Sequence, residues 1–348
     1  MVDLVIRGGA VVTEAGVEAV DVAIDGDAIA AIGHDLPGAR TEIDARGLHV
    51  LPGLIDVHVH FNEPGHESWE GAATGSRALA AGGGTLFFDM PLNSIPCTVT
   101  GAECDRKRRA LEAASITDFG LWGGLTPGSL DHMEELEARG VVGFKAFMCD
   151  SGLAEFPRAD ESTLLAGMRI AAQLRLPVAV HAESNAITRA LTRQHGVSTP
   201  AAFLASRPLD AELDAIRTVL DLARETGVQL HIVHVSSGSG VALAAAARAA
   251  GVPASSDASR GSGTPRACTP RSSITGSVDW TPAMPPQAEP KAHCFIDGSA
   301  GEWSEPTTSI TPDKTAAHKA SCSTASRSGG AHLAIVPSTS RSAAVKKR

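Results

Sequence analysis

Residues 54–64 read L-I-D-V-H-V-H-F-N-E-P. The first half is an apolar, alternating, branched run, the pattern of a buried strand. Side chains alternate faces along a strand, so Asp56, His58 and His60 project to one side. Two imidazoles two residues apart on a rigid strand can hold one metal ion together. A lone histidine in such a strand is more often a satisfied core residue. Here the pair ends the strand, follows Pro52-Gly53 and runs into a polar N-E-P-G turn, so a metal is the better reading if the chain supplies further ligands.

From residue 51 onward, strand and helix alternate. Apolar strands are expected near Leu54, Thr85, Phe119, Val142, Val178 and Leu230. Between them the periodicity predicts helices over Ser68–Ala81, Glu103–Ala114, Leu130–Arg139, Glu161–Leu174, Asn185–Gln194 and Asp210–Thr226. Glycines stand where C-caps are needed, at Gly82, Gly140 and Gly227. No G-x-G-x-x-G follows the first strand, so a parallel α/β barrel is favoured over a doubly wound sheet. Residues 1–50 read instead as short β runs with a hairpin signal at Asp25-Gly26.

In such a barrel, chemistry sits at the C-terminal strand ends. The first strand ends in His58 and His60, the fourth carries Lys145, the fifth ends in His181 and the sixth in His234. His231, three residues before His234, is expected on the opposite face in a structural role. Lysine usage sharpens the picture. Of seven lysines, only Lys107 and Lys145 precede residue 251. Lys107 lies in D-R-K-R-R and reads as a solvated helix face. Lys145 lies in the apolar V-V-G-F-K-A-F, where a charged amine is costly unless neutralised or paired.

The bulk properties exclude several classes. A net charge of −9 over 348 residues argues against a nucleic-acid surface. No apolar run is long enough to span a membrane, and the start lacks a signal-peptide pattern, so the expectation is a cytoplasmic protein. The six cysteines (97, 104, 149, 268, 294 and 322) form no C-x-x-C pair, which indicates neither a disulfide frame nor a zinc knuckle.

D-V-H-V-H, G-F-K-A-F, V-A-V-H-A-E and H-I-V-H-V-S, in this order, resemble the cyclic-amidohydrolase branch of the amidohydrolase superfamily over about residues 1–251. That branch holds dihydroorotases, hydantoinases and allantoinases. Where dihydroorotases carry an Arg after the H-x-H to clamp a carboxylate, this chain has Asn62. Together with M-P-L-N-S-I-P-C-T at Met90–Thr98 and the run F-K-A-F-M-C-D-S-G, this looks like the allantoinase type, whose substrate is neutral. The resemblance implies an α/β metal-dependent hydrolase with a (β/α)8 TIM-type barrel over 51–251 and a small β-sandwich portion at 1–50. It further implies two divalent metal ions, zinc suiting the ligands best. His58 and His60 would bind one, His181 and His234 the other, and a CO2-derived carbamate on Lys145 would bridge them. The implied chemistry is metal-assisted opening of a cyclic amide, allantoin to allantoate, with Asn93 and Ser94 as candidates for binding the ureide. A homo-oligomer and a small-molecule cyclic ureide partner follow from the same resemblance. The alternatives are a dihydroorotase or hydantoinase and, from another class, a non-catalytic assembly subunit.

The match stops after Gly251-Val252. Residues 252–348 hold one leucine, ten of the twenty prolines and 27 Ser or Thr. The family's E-T-C-P-H-Y run is replaced by S-S-D-A-S-R-G, and its strand-eight catalytic Asp is not found. Asp257 comes closest but belongs to the seventh-strand region. The abrupt change is what a shifted reading frame produces; a natural disordered tail is the other reading composition allows. Either way the barrel is expected to be incomplete, with open strand edges that favour aggregation.

Overall fold

The structure is a computed structural model that describes residues 1–258 and the two later strands His293–Ile296 and His332–Pro337. The described residues form two compact units. One gathers Met1–Asp56, Arg77–Leu86 and the two late strands; the other holds Val57–Ser76 and residues 87–258.

In the first unit, β1 (Leu4–Thr13), β2 (Gly16–Asp25), β3 (Ala28–Gly33), β4 (Thr41–Asp44) and β5 (Leu48–Pro52) build one mixed sheet. The hairpin expected at Asp25-Gly26 is present: Asp25 pairs with Ala28, and Gly26 turns the chain at φ +57°, a conformation glycine adopts without steric cost. Alternate residues Val20, Val22 and Ile24 of β2 pack with Ile6, Val11, Ala45 and Val50 into a buried cluster. The sheet continues past the expected limit at residue 50, since β5 runs through Pro52.

In the remainder of the chain, β6 (Leu54–Val59), β7 (Gly84–Asp89), β8 (Asp118–Leu121), β9 (Gly123–Gly124), β10 (Phe144–Phe147), β11 (Val178–His181), β12 (Leu230–Val235) and β13 (Ala254–Ala258) alternate with helices. These are α1 (Ala72–Ala81), α2 (Gly101–Ala114), α3 (Met133–Ala138), α4 (Glu161–Leu174), α5 (Asn185–His195), α6 (Pro200–Ala205), α7 (Leu209–Thr226) and α8 (Gly238–Ala249). Of the late strands, β14 (His293–Ile296) pairs parallel with β15 (His332–Pro337), which joins β5 antiparallel.

Strands β9 to β13 form a parallel sheet in sequential order, and β6, β7 and β8 form a second. β8 and β9 are one segment broken only at Trp122, whose amide N–H donates to Asp89 O and whose indole N–H donates to Val57 O. Strand order therefore never reverses, as in a barrel and unlike a doubly wound sheet. Gly143 makes room for Trp122: a Cβ there would collide with the indole and come within 2.7 Å of Pro177 O.

The helices follow local signals. Asp160 caps α4 by accepting from Thr163 N at 2.9 Å, and Gly227 closes α7 in the left-handed conformation. α1 begins at Ala72 rather than Ser68, because Glu63 accepts from the Ala72 amide and caps the helix there. α6 and α8 were not among the expected helices; α8 is a run of small residues with little amphipathic contrast.

Three expectations need correction. Lys107 is not on a solvated face. α2 buries Gly101, Cys104, Lys107 and Leu111, a helical stripe, and the Lys107 ammonium lies 3.1 Å from Asp89 and donates to Met90 O at 2.6 Å. Charge density in D-R-K-R-R concealed one inward position. The strand carrying the H-x-H is not buried at its start either. Leu54 and Ile55 are 63% and 52% exposed, and β6 has no second neighbour beyond β7 among the described residues. Finally, the described barrel does not stop at Val252: β13 pairs in parallel with β12 as a seventh strand. The remainder of the 252–348 tail, β14 and β15 aside, and the strand-eight position lie outside the described residues. No helix among the described residues is long and apolar enough to cross a membrane.

Candidate metal centre

Strand register assembles the site. Lys145 pairs with Ala179, Ala179 with His231 and His231 with Ser255, and residues in register across parallel strands share a face. His231 is thus on the Lys145 face, not the opposite one. The parity argument fails because the register shifts between Ile232 and Val235 and His234 adopts a left-handed φ of 42°. That distortion brings His234 back to the site beside His231.

The histidines converge. Ring centroids lie 5.4 Å apart for His58 and His60, 5.5 Å for His58 and His234, and 4.8 Å for His181 and His234. His181 Nδ1 stands 3.3 Å from His234 Nε2. Two nitrogens bound to one tetrahedral zinc at about 2.0–2.1 Å are roughly 3.3–3.4 Å apart, so this edge has the length a shared ion needs. Burial, and then the Lys145 charge, push His58 down to about 3. Burial takes His60 to about 4 against an opposing contact to Leu92 O, and burial with Lys145 and His181 takes His234 to about 4. All three are therefore neutral at pH 7, the protonation state in which an imidazole can bind a cation.

Lys145 is 1% exposed, and its Nζ has no hydrogen-bond partner among the described residues. Its Nζ lies 5.0 Å from the Phe147 ring centroid, and that ring stacks on His181 at 4.5 Å. Burial lowers the ammonium to about 7 against the opposing Asp257 charge. A buried, unpartnered amine with a large neutral fraction near pH 7 is what carbamylation requires, and a carbamate would give this orphaned atom anionic oxygens to share. The residues present fit a divalent-metal centre.

Three groups that the sequence reading did not assign to the site, His231, Asp257 and Glu183, lie beside it. Asp257 accepts from His234 N at 2.9 Å and lies 3.0 Å from His231 Nε2. Burial raises its carboxyl, but the His231 ring and the His234 amide outweigh this and hold it at about 2. Glu183 lies 3.5 Å from His181 Nε2 and accepts from the Cys149 thiol at 3.1 Å. Its place two residues after His181 in V-A-V-H-A-E was the available signal.

The substrate candidates differ in accessibility. Ser94 is fully buried, and its hydroxyl lies 3.5 Å from Pro91 O and 3.4 Å from Lys107 Nζ. Asn93 sits at φ 71°, and its carbonyl lies 2.7 Å from His66 Nδ1.

Comparison with known proteins places the chain among relatives. The profile described as "Amidohydrolase family" matches residues 49–269. The chain is 61% identical over 254 residues to an allantoinase from Solibacter usitatus and 56% identical to one from Rubrobacter xylanophilus, covering 72% of this chain and 56% of each relative. Among solved structures it resembles the L-hydantoinase (dihydropyrimidinase) of Arthrobacter aurescens, with TM-score 0.70, 30% identity and coverage of 74% of this chain and 58% of that one. The D-hydantoinase of Bacillus sp. AR9 follows at TM-score 0.65, 32% identity and 74% and 57% coverage. The chain thus spans a little over half the length of the relatives it matches. The fold is of the TIM-barrel type, and the chain belongs to the amidohydrolase family.

Proposed function

We propose that this chain is built for hydrolysis of a cyclic amide, with opening of allantoin to allantoate as the reaction its sequence fits best. The observation that carries this reading is the pairing of His181 Nδ1 and His234 Nε2 at 3.3 Å beside the buried, unpartnered Lys145. Similarity to allantoinases at 45–61% identity supports it, and Asn62, standing where a carboxylate-binding Arg would serve an anionic substrate, agrees with a neutral ring.

Amidohydrolases are in general binuclear metal-dependent. In this chain His58 and His60 would hold one divalent ion, His181 and His234 the other, and a Lys145 carbamate both; zinc suits the donors. Bound there, the ions would supply Lewis-acid polarisation of the ring carbonyl and an activated water. Lys145 would take up CO2 through the neutral fraction of its amine, which no arginine in its place could do. His58, His60 and His234 stay unprotonated because their surroundings are dry. Asn93 is the better candidate for a ureide contact, since the Ser94 hydroxyl is enclosed with Lys107.

Proton transfer is the weak step. Asp257 is the carboxylate held against His234, but a group at about 2 accepts protons poorly at pH 7. Slow turnover is expected because the sequence shows no counterpart of the family's strand-eight Asp. The test is a substrate panel of allantoin, hydantoin and dihydroorotate, assayed on chain loaded with zinc and bicarbonate. Turnover confined to allantoin supports the reading. Faster hydantoin or dihydroorotate turnover replaces it, and near-zero bound metal after loading favours a non-catalytic assembly subunit.

A further inference from the structure

His181 presents its two ring nitrogens to different neighbours. Nδ1 faces His234, while Nε2 points to Glu183 and, beyond it, Cys149. We infer that Cys149, His181 and Glu183 form a separate cation site, suited to a thiophilic divalent ion, which shares the His181 imidazole with the centre built on Lys145.

The geometry is that of a chelating face. The thiol sulfur, Nε2 and a carboxylate oxygen all lie within 4.8 Å of one another, with 3.1 Å between Cys149 Sγ and Glu183 Oε2 and 3.5 Å between that oxygen and His181 Nε2. The 3.1 and 3.5 Å separations are near the edges of a tetrahedron about one ion, and side-chain movement would close the third. The backbone holds them in place. Phe147 pairs in register with His181, and Met148 N donates to His181 O at 3.1 Å, so Cys149 leaves β10 beside the end of β11. Arg207 lies 3.7 Å from the other Glu183 oxygen, leaving Oε2 for the site. A cavity of about 280 Å³, lined by Cys149, Asp150, Asn185 and Arg207 among others, gives access and room for water as a fourth ligand.

The donor set selects the ion. Thiolate and carboxylate together neutralise a divalent charge, and His181 adds a nitrogen donor. The nearby Arg207 charge disfavours a hard ion held by electrostatics alone, whereas sulfur favours cadmium or zinc over magnesium or calcium. Binding breaks the Cys149 S–H bond and releases that proton to solvent. A second proton leaves from His181 Nε2 when Nδ1 is already a ligand. The site stands on its own geometry, whether or not the chain hydrolyses anything.

Cadmium titrated into the full chain tests this through the sulfur-to-cadmium charge-transfer band in the ultraviolet. The expected result is a band in the wild-type chain that is missing from Cys149→Ser, is at least about tenfold weaker in affinity in Glu183→Gln, and persists in Lys145→Met. Peptide mapping gives a second reading on the unmodified chain: cadmium should protect Cys149 from alkylation. An identical band in Cys149→Ser, or unchanged alkylation of Cys149 under cadmium, overturns the inference. Loss of the band in Lys145→Met also overturns it, by placing the ion in the other centre.

Discussion

His181 Nδ1 and His234 Nε2 face each other at 3.3 Å across the ends of two neighbouring parallel strands, with the Phe147 ring stacked behind His181. Two acceptor nitrogens so placed repel unless a proton or a cation lies between them. Replacing either by Ala should lower zinc retained after dialysis and weaken zinc affinity by at least about tenfold. Elemental analysis of the two variants checks this, and zinc content equal to wild type would contradict the shared site.

Lys145 should be irreplaceable in a specific way. Lys145→Met keeps the buried volume and Lys145→Arg keeps the charge, but neither can form a carbamate. Both variants should lose bicarbonate-dependent zinc uptake and hydrolysis. In the wild-type chain that uptake should rise with pH through about 7, where the amine becomes neutral. Uptake that ignores bicarbonate would remove the carbamate from the account.

The metal-free chain should be stabilised by raising pH, and the sign follows from burial. His58, His60 and His234 fall from the ordinary 6.5 to about 3, 4 and 4 on folding. The unfolded chain therefore binds more protons below pH 6.5, and their contribution is present above that pH and lost as pH falls towards 3 to 4. Asp257, lowered from 3.8 to about 2, loses its contribution below pH 3.8. Lys145, lowered from 10.5 to about 7, adds stability as pH rises from 7 to 10.5. Urea midpoints of the metal-free protein should climb from pH 4 to pH 9; a flat profile would show that these groups are hydrated.

The Lys107–Asp89 pair, 1% and 0% exposed, should be sensitive to removal of one partner. Lys107→Met leaves the Asp89 carboxyl buried and uncompensated, at a cost of about 3–5 kcal/mol. The double variant Asp89→Asn with Lys107→Met should recover part of that loss. Chemical denaturation of the three variants decides the matter, and a Lys107→Met effect under about 1 kcal/mol would mean that water reaches Asp89.

At the start of α4, Asp160→Ala removes an acceptor for the Thr163 amide and hydroxyl. It should cost about 1 kcal/mol, lowering the urea midpoint without changing the slope. A changed slope would point instead to loss of the neighbouring strand.

The strand–helix alternation, α4 to the residue and the inward-facing H-x-H, Lys145, His181 and His234 were all legible in the chain. Each is a local signal: a period, a cap, or a residue type at odds with its apolar surroundings. The sheet edges could not be read in that way. Leu54 and Ile55 look like core residues, and only the missing neighbour of β6 among the described residues leaves them exposed.

The amino-acid order alone determined that a row of strands would carry nitrogen donors at their ends, because strand periodicity and the burial cost of a lysine are set by near neighbours in sequence. Tertiary structure decided which side chains finally meet. A left-handed residue at His234 and the register shift around it returned that side chain to the site beside His231 and Asp257, and the packing of α2 turned Lys107 inward onto Asp89. Those outcomes depend on contacts between residues far apart in the chain, where one shifted register or one buried partner reverses the direction a side chain faces.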